Sequence, residues 1–525
     1  MTSYDEVLYP SRYFPQTHPD RLATIATLFG MTPAPVERCR VIELGCGSGS
    51  NLLPMAYELP KSTFVGLDLA ARPIEAGQAA AAALGLENLT LISKDLMAVS
   101  ADFGAFDYII AHGVYSWVPL DVRDQVLALC NALLAPHGVA FVSYAIYPGA
   151  YVPQMTREMM RFHMLKFKGA QQQITQARSM LRFLLDAQPA DTQYRTLLES
   201  TRARIMTYPD EYLYHDDLSE TYAPCYFHQF IEHGGRHGLQ YLADADLVEM
   251  HPVQFGPHVA EALDTMGDDM VLREQYLDFL KGRKFRQTLL CREAVALERA
   301  VAPERVQGCC VRAPVQAMPP EAEAPAPAMQ KFEGFPGAFA ETDEPLQQAA
   351  LRYLGARWPH YVSFEELLAQ ARSHTDVPPA EAGSATQDAR IQDARALGTM
   401  LYTLYTLNFL RLHVHACSFV TEASAYPVAS PIARWQIRQG AYVTTEFYES
   451  VRISDEAVRA LLPLLDGSRD RAALVDVLAA QVEAGILSLE RAEGQEEDTQ
   501  PTTALLADGV DKALAAMARF GLLIA

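Results

Sequence analysis

The chain has 525 residues, half of them hydrophobic, with 64 acidic against 43 basic side chains and a formal net charge of −21. That length predicts roughly three or four domains, and the acidic balance argues against a nucleic-acid partner, whose phosphates need Lys and Arg. No apolar run approaches the about 20 residues of a bilayer span, the first ten residues carry no signal pattern, and the eight cysteines form no CxxC pair, so a cytoplasmic chain with reduced thiols and no membrane insertion is expected.

An apolar strand at 41–44 runs into Gly45, Gly47 and Gly49, and a helical pattern follows. With Ser50 in the sixth position this departs from the G-x-G-x-x-G dinucleotide fingerprint, and no Lys-Ser or Lys-Thr follows as a P-loop requires. Glu43 decides between ligands: a carboxylate at the strand end repels a pyrophosphate and suits a cationic group with amine donors. The stretch 62–70 reads as a second strand ending at Asp68, with a helix after it. A third, 88–96, ends at Asp95; a fourth, 106–119, opens into a loop; 137–149 is a fifth. Alternating strands and helices predict a parallel sheet with its ligand across the carboxyl edge. There Asp68 can hold two ribose hydroxyls and Asp95 can accept from an adenine amine, with Leu69 and Leu96 beside them. The glycines admit an amino-acid group to the backbone. Together these residues describe a site for S-adenosyl-L-methionine. The segment before the first helix of such folds often lies over the cofactor, which makes Tyr4 and His18 candidate lid residues.

Four stretches are similar to one bacterial group: SYDEVLYPSRYFPQTHPDRLATIATLFGM (3–31), HGVYSWVP (112–119), SYAIYPGAY (143–151) and YLYHDDLSETYAPCYFHQFIEHGGRHGLQYLADADL (212–247). On these residues the chain resembles the class I S-adenosylmethionine-dependent methyltransferases that carry a methyltransferase regulatory domain. Among them are the rickettsial lysine methyltransferases that act on outer membrane protein B. The resemblance covers residues 1 to about 300. It implies a Rossmann-like seven-stranded sheet with a reversed last pair of strands. It also implies methylation of lysine side chains in a protein substrate, such as a surface or outer-membrane protein before its export. Ala145 and Ala150 stand where the family pattern has Asn and Trp, which keeps open a methyltransferase for a small molecule or peptide natural product. A non-catalytic S-adenosylmethionine-binding regulatory protein is a third reading. DNA base methylation is disfavoured, because the loop after the fourth strand lacks Asp/Asn-Pro-Pro-Tyr.

That loop holds the candidate catalytic residues. Methyl transfer mainly requires alignment of donor and acceptor. A lysine, with a free pKa of about 10.4, must also arrive neutral, which an apolar or aromatic channel promotes by desolvation. Tyr115 and Trp117 are expected to line that channel, and His112 to orient the cofactor or relay a proton.

Beyond the first part of the cofactor domain (1–150), residues 151–224 read as a helical insertion and candidate homodimer surface. Residues 225–300 form a regulatory region that completes the sheet, with strands at 238–247 and 285–292. A Pro- and Ala-rich linker (313–345), a helical middle domain (346–428) and a winged-helix-like C-terminal domain (429–525) follow. An acidic insert at 493–501 argues against DNA docking by that last module. His233 and His237 are one helical turn apart, but Gly234 and Gly235 weaken the helix and no cysteine or carboxylate set completes a ligand pattern. No metal is expected.

Overall fold

In the computed structural model, which describes residues 3–9, 12–267, 269–319, 329–374, 384–487 and 502–525, the apolar runs of the first half become parallel strands covered on both faces. β1 (Arg40–Leu44), β2 (Thr63–Asp68), β3 (Leu89–Ser93), β4 (Phe106–Ala111), β5 (Leu134–Ala145), β6 (Leu239–Asp244) and β7 (Phe285–Arg292) form one sheet of order β3-β2-β1-β4-β5-β7-β6. Neighbouring residues such as Val41 and Ile42, or Tyr108, Ile109 and Ile110, are all buried, as a parallel sheet with helices on both faces requires. β7 runs antiparallel to β5 and β6, the reversed last pair. The strand order turns back between β1 and β4, so the crevice for a ligand opens at the carboxyl ends of these strands.

The outer strands are tied down by buried charge. Arg286 donates to Asp244 (2.7 Å), Glu274 (2.9 Å) and Asp278 (3.0 Å), and all four side chains are buried. Helices Tyr151–Met164, Ala170–Ala187 and Gln193–Thr207 build a separate small core around Met160, Ile174, Leu181 and Leu198.

Two expectations change in the second half. The described part of 313–345 is folded: Gln316–Ala317, Gln330–Glu333 and Phe339–Thr342 make an antiparallel sheet, and Val315 and Phe332 are buried. These anchors flank the Pro- and Ala-rich stretch 320–328, which lies outside the described residues, so the average composition hides them. Nor is 346–428 a separate globule. Leu351, Phe364 and Leu401 share one core with Leu22, Ile25 and Phe141 of the sheet domain. His413 donates to Asp20 at 2.8 Å across that contact.

The C-terminal module packs helices Pro431–Gln439, Glu456–Leu461, Arg471–Glu483 and Thr502–Arg519 with a hairpin, Tyr442–Thr444 and Ser450–Arg452. The acidic insert 493–501 lies outside the described residues. Buried Arg312 donates to Glu449 (2.6 Å), with Trp358, Tyr361 and Phe447 around its guanidinium, and His18 stacks on Tyr448 at 3.8 Å. These contacts fasten the hairpin to the rest of the chain. Among the described residues no helix is long and apolar enough to cross a membrane.

Candidate active site

Gly45, Gly47 and Gly49 take φ of +74°, +56° and +69° after β1. A Cβ on Gly45 would lie 2.4 Å from Val114 Cγ2, so a side chain there collides with the loop that carries His112. Asp68, at the end of β2, accepts from Gly47 N on one oxygen and from Ala70 N on the other, both at 2.8 Å. It therefore sets the loop's shape. A carboxylate has about four acceptor positions, so capacity remains for hydroxyls. Leu69 is exposed beside it. Asp95 is exposed, caps a short turn by accepting from Met97 N (2.9 Å), and is followed by buried Leu96.

Glu43 is 3% exposed. One oxygen accepts from Asn51 Nδ2 (3.0 Å), and the other is buried without a hydrogen-bond partner. Burial raises this carboxyl to about 8, against the Asn51 bond and with the Asp68 charge adding to the rise. Buried polar atoms are nearly always paired, and an ammonium would pair this one. The residues present thus fit the amino-acid end of S-adenosylmethionine. Asn51 also accepts from Phe14 N (2.9 Å) and donates to Thr17 Oγ1 (3.0 Å), pinning the N-terminal segment to the glycine loop. Further out, Tyr4 stacks on His215 at 4.2 Å. Burial, then the Asp216 and Asp68 charges, push its hydroxyl up to about 12.

A cleft of about 340 Å³ opens at the end of β4, lined by Tyr9, Arg12, Tyr13, Phe14, His112, Tyr212, Tyr442 and Ser450. Its walls come from the N-terminal segment, the β4 loop, the end of the helical insertion at Tyr212 and the C-terminal hairpin. His112 packs against Phe14 at 4.0 Å, and its Nδ1 is 2.9 Å from Ser143 Oγ, which also accepts from Gly113 N. Burial lowers its pKa to about 4, so the imidazole is neutral at pH 7.

Residues 41–138 match the family model described as "Methyltransferase domain", 209–292 "Predicted methyltransferase regulatory domain", and 425–522 "PKMT, C-terminal winged helix domain". A curated protein of Rickettsia prowazekii is 40% identical over 231 residues, 44% of this chain and 92% of that protein. The chain belongs to the class I S-adenosylmethionine-dependent methyltransferases with a methyltransferase regulatory domain. A second R. prowazekii protein is 39% identical over 299 residues, and this methyltransferase spans about half of its length (54%). The structure of PKMT2 from Rickettsia typhi in complex with AdoHcy superposes with a TM-score of 0.84 at 28% identity, covering 98% of this chain and all of that one.

Three of the expected site residues of this methyltransferase lie outside the cleft. His18 is 1% exposed and caps the helix Pro19–Leu28, its Nδ1 accepting from Asp20 N at 3.1 Å; burial lowers its pKa to about 3. It is a cap in the core, not a lid. Tyr115 is 2% exposed, packed edge-on against Phe230 and hydrogen-bonded to His233 Nδ1 (2.8 Å). It leaves the acceptor channel because the turn after β4 aims it at the regulatory region. Trp117 is set back from the cleft, near Tyr222 and 6.3 Å from Phe285, which is itself 6.4 Å from His112; its Nε1 is buried without a hydrogen-bond partner. Ala145 and Ala150 are buried and line none of the cleft. Asn51, Phe14, Ser143 and Tyr442 were missed, since each acquires its role only through a distant partner.

Proposed function

We propose that this methyltransferase transfers methyl groups to lysine side chains of a protein substrate in the cytoplasm. The observation that carries this reading is the aromatic cleft at His112, which the C-terminal winged-helix hairpin helps to wall. A small acceptor needs no contact from a module so far along the chain, whereas a protein surface does. The likeness to PKMT2, a protein lysine methyltransferase, over 98% of this chain supports the same substrate class.

When bound, S-adenosylmethionine supplies an electrophilic methyl group on a sulfonium sulfur. Glu43 pairs the amino-acid end, Asp68 holds the ribose hydroxyls, and Asp95 with Leu69 and Leu96 borders the adenine. Tyr4 covers this edge. Tyr9, Tyr13, Phe14, Tyr212 and Tyr442 form a wall that favours the neutral amine over the ammonium by desolvation and still tolerates a methylated cation on aromatic faces. Neutral His112, its Nδ1 held by Ser143 Oγ, can orient the acceptor and the cofactor at this wall, and its burial keeps it from carrying the proton that the amine loses. Trp117 braces this wall through Phe285. The substrate class extends to a surface or outer-membrane protein before export. The exposed Phe162, Leu165 and Phe183 of the helical insertion suit a homodimer, which light scattering would report.

The test is incubation of the purified protein with methyl-labelled S-adenosylmethionine and a lysate of the source cells. Label in protein, recovered after acid hydrolysis as methyl-lysine, is expected. Label confined to small solutes, or none at all, would overturn the reading.

A further inference from the structure

A cluster of ligating side chains stands apart from the cofactor crevice. Asp124 lies on the helix Leu120–Leu133, directly after the loop 112–119. His233 and His237 sit one turn apart at the end of the helix Phe227–Arg236, which forms despite Gly234 and Gly235. Both Nε2 atoms approach the same Asp124 oxygen, at 2.9 and 2.8 Å, and the three ligand atoms lie within 4.8 Å of one another. The rings are mostly covered, while Asp124 is 61% exposed, so an ion can enter from its side.

We infer that Asp124, His233 and His237 form a binding site for one divalent transition metal, zinc in class, that clamps the regulatory region onto the helix behind the β4 loop. Zinc takes His nitrogen and carboxylate oxygen at about 2.0–2.2 Å, which sets tetrahedral ligands about 3.3 Å apart. The carboxylate must withdraw by only about half an ångström from each ring, and it stands on the solvent side, where it can move. The fourth position is left to water. The ring of His233 is already oriented for this role. With Nε2 on the metal, its Nδ1–H donates to the Tyr115 hydroxyl, 2.8 Å away, the kind of outer contact that fixes metal-bound imidazoles. Tyr115 is buried beneath Arg123, whose guanidinium is 4.6 Å from the ring centre. The ion would thus be linked through one hydroxyl to the loop that carries His112. The missing carboxylate of the sequence reading lies 109 residues before His233.

The test uses the full chain, stripped with chelator and titrated with Co²⁺, then Zn²⁺. One equivalent of Co²⁺ should bring up visible ligand-field bands, Zn²⁺ should erase them, and Zn²⁺ should raise the melting temperature. Asp124→Asn and His237→Ala should each weaken Co²⁺ binding by tenfold or more, and Tyr115→Phe by about tenfold as an outer-contact change. His237→Gln replaces His237→Ala if that variant melts early without metal. No stoichiometric Co²⁺ band, or equal Co²⁺ affinity in the Asp124→Asn/His237→Gln double variant, would overturn the site and leave a hydrogen-bonded cluster only.

Discussion

Replacing Glu43 by Gln keeps the side chain's size and its bond from Asn51, because the amide oxygen can accept as the carboxylate does. What is lost is the charge on the oxygen that has no partner within the protein. Hydrogen bonds to a charged group contribute about 1.5–3 kcal/mol, so affinity for S-adenosylhomocysteine should fall about 10- to 150-fold. The pH dependence is the sharper signature. In the free protein Glu43 keeps its proton up to about 8. Binding an ammonium requires that proton to leave, so wild-type affinity should fall by up to about tenfold per unit as pH drops from 8 to 6. Above about 8 the ligand's own amino group loses its proton, α-amino groups having pKa values of about 7.7–8.0, and affinity should fall again. Titration calorimetry should therefore trace a bell with its maximum near pH 8. His112 and His18, lowered to about 4 and about 3, do not titrate in this window. Asp216, raised to about 7 by burial, does, and the Gln variant separates the two because only the Glu43 contribution disappears from the acid limb. A wild-type affinity that is flat from pH 6 to 8, or an unchanged bell in Glu43→Gln, would refute the assignment of this carboxylate to the amino-acid end.

Asp68→Ala should lose affinity for S-adenosylhomocysteine and also lower the unliganded melting temperature, since each of its two bonds to loop N–H groups is worth about 1.5–3 kcal/mol; calorimetry and melting curves separate the two losses. Trp117→Ala should lower turnover more than cofactor affinity and recover in part at higher pH, where more lysine is neutral; an early melt with normal turnover would show that its packing supports the fold and not the acceptor wall. Tyr442→Ala should raise KM for a protein acceptor while leaving the calorimetric affinity for S-adenosylhomocysteine unchanged. Arg286→Met should destabilise by about 3–5 kcal/mol in urea unfolding, because it leaves three buried carboxylates, Asp244, Glu274 and Asp278, offset only by Arg283 and Arg273 at 3.2–3.5 Å; a loss under about 1 kcal/mol would show that those two guanidiniums suffice or that the carboxylates are protonated.

The glycine loop and strand ends that frame the proposed cofactor site were legible because they are local. Glu43 and the three glycines fall within seven consecutive residues, and Asp68 and Asp95 each close an apolar run that can only be a strand between helices. Spacing along the chain is then spacing in the crevice. The reversed last pair of strands was implied by the family resemblance and not by local pattern, since 285–292 mixes Arg286, Gln287 and Arg292 with apolar residues and carries no direction of its own. Direction out of a loop is different. Neither Tyr115 nor Trp117 sits in a periodic element, so nothing local says that one turns into the core against Phe230 and the other stands behind Phe285. His18 looked like a lid residue until its ring was found accepting from Asp20 N beneath Tyr448. The walls of the cleft depend on contacts between residues hundreds of positions apart, as Arg12 and Tyr442 are, and Asp124 meets His237 across 113 residues. Residue type and period report the chemistry available at each position and the face that must be buried. Which of those groups converge is decided by how the sheet domain, the regulatory region and the C-terminal module pack, because burial of apolar surface drives that packing and polar partners are selected only within it.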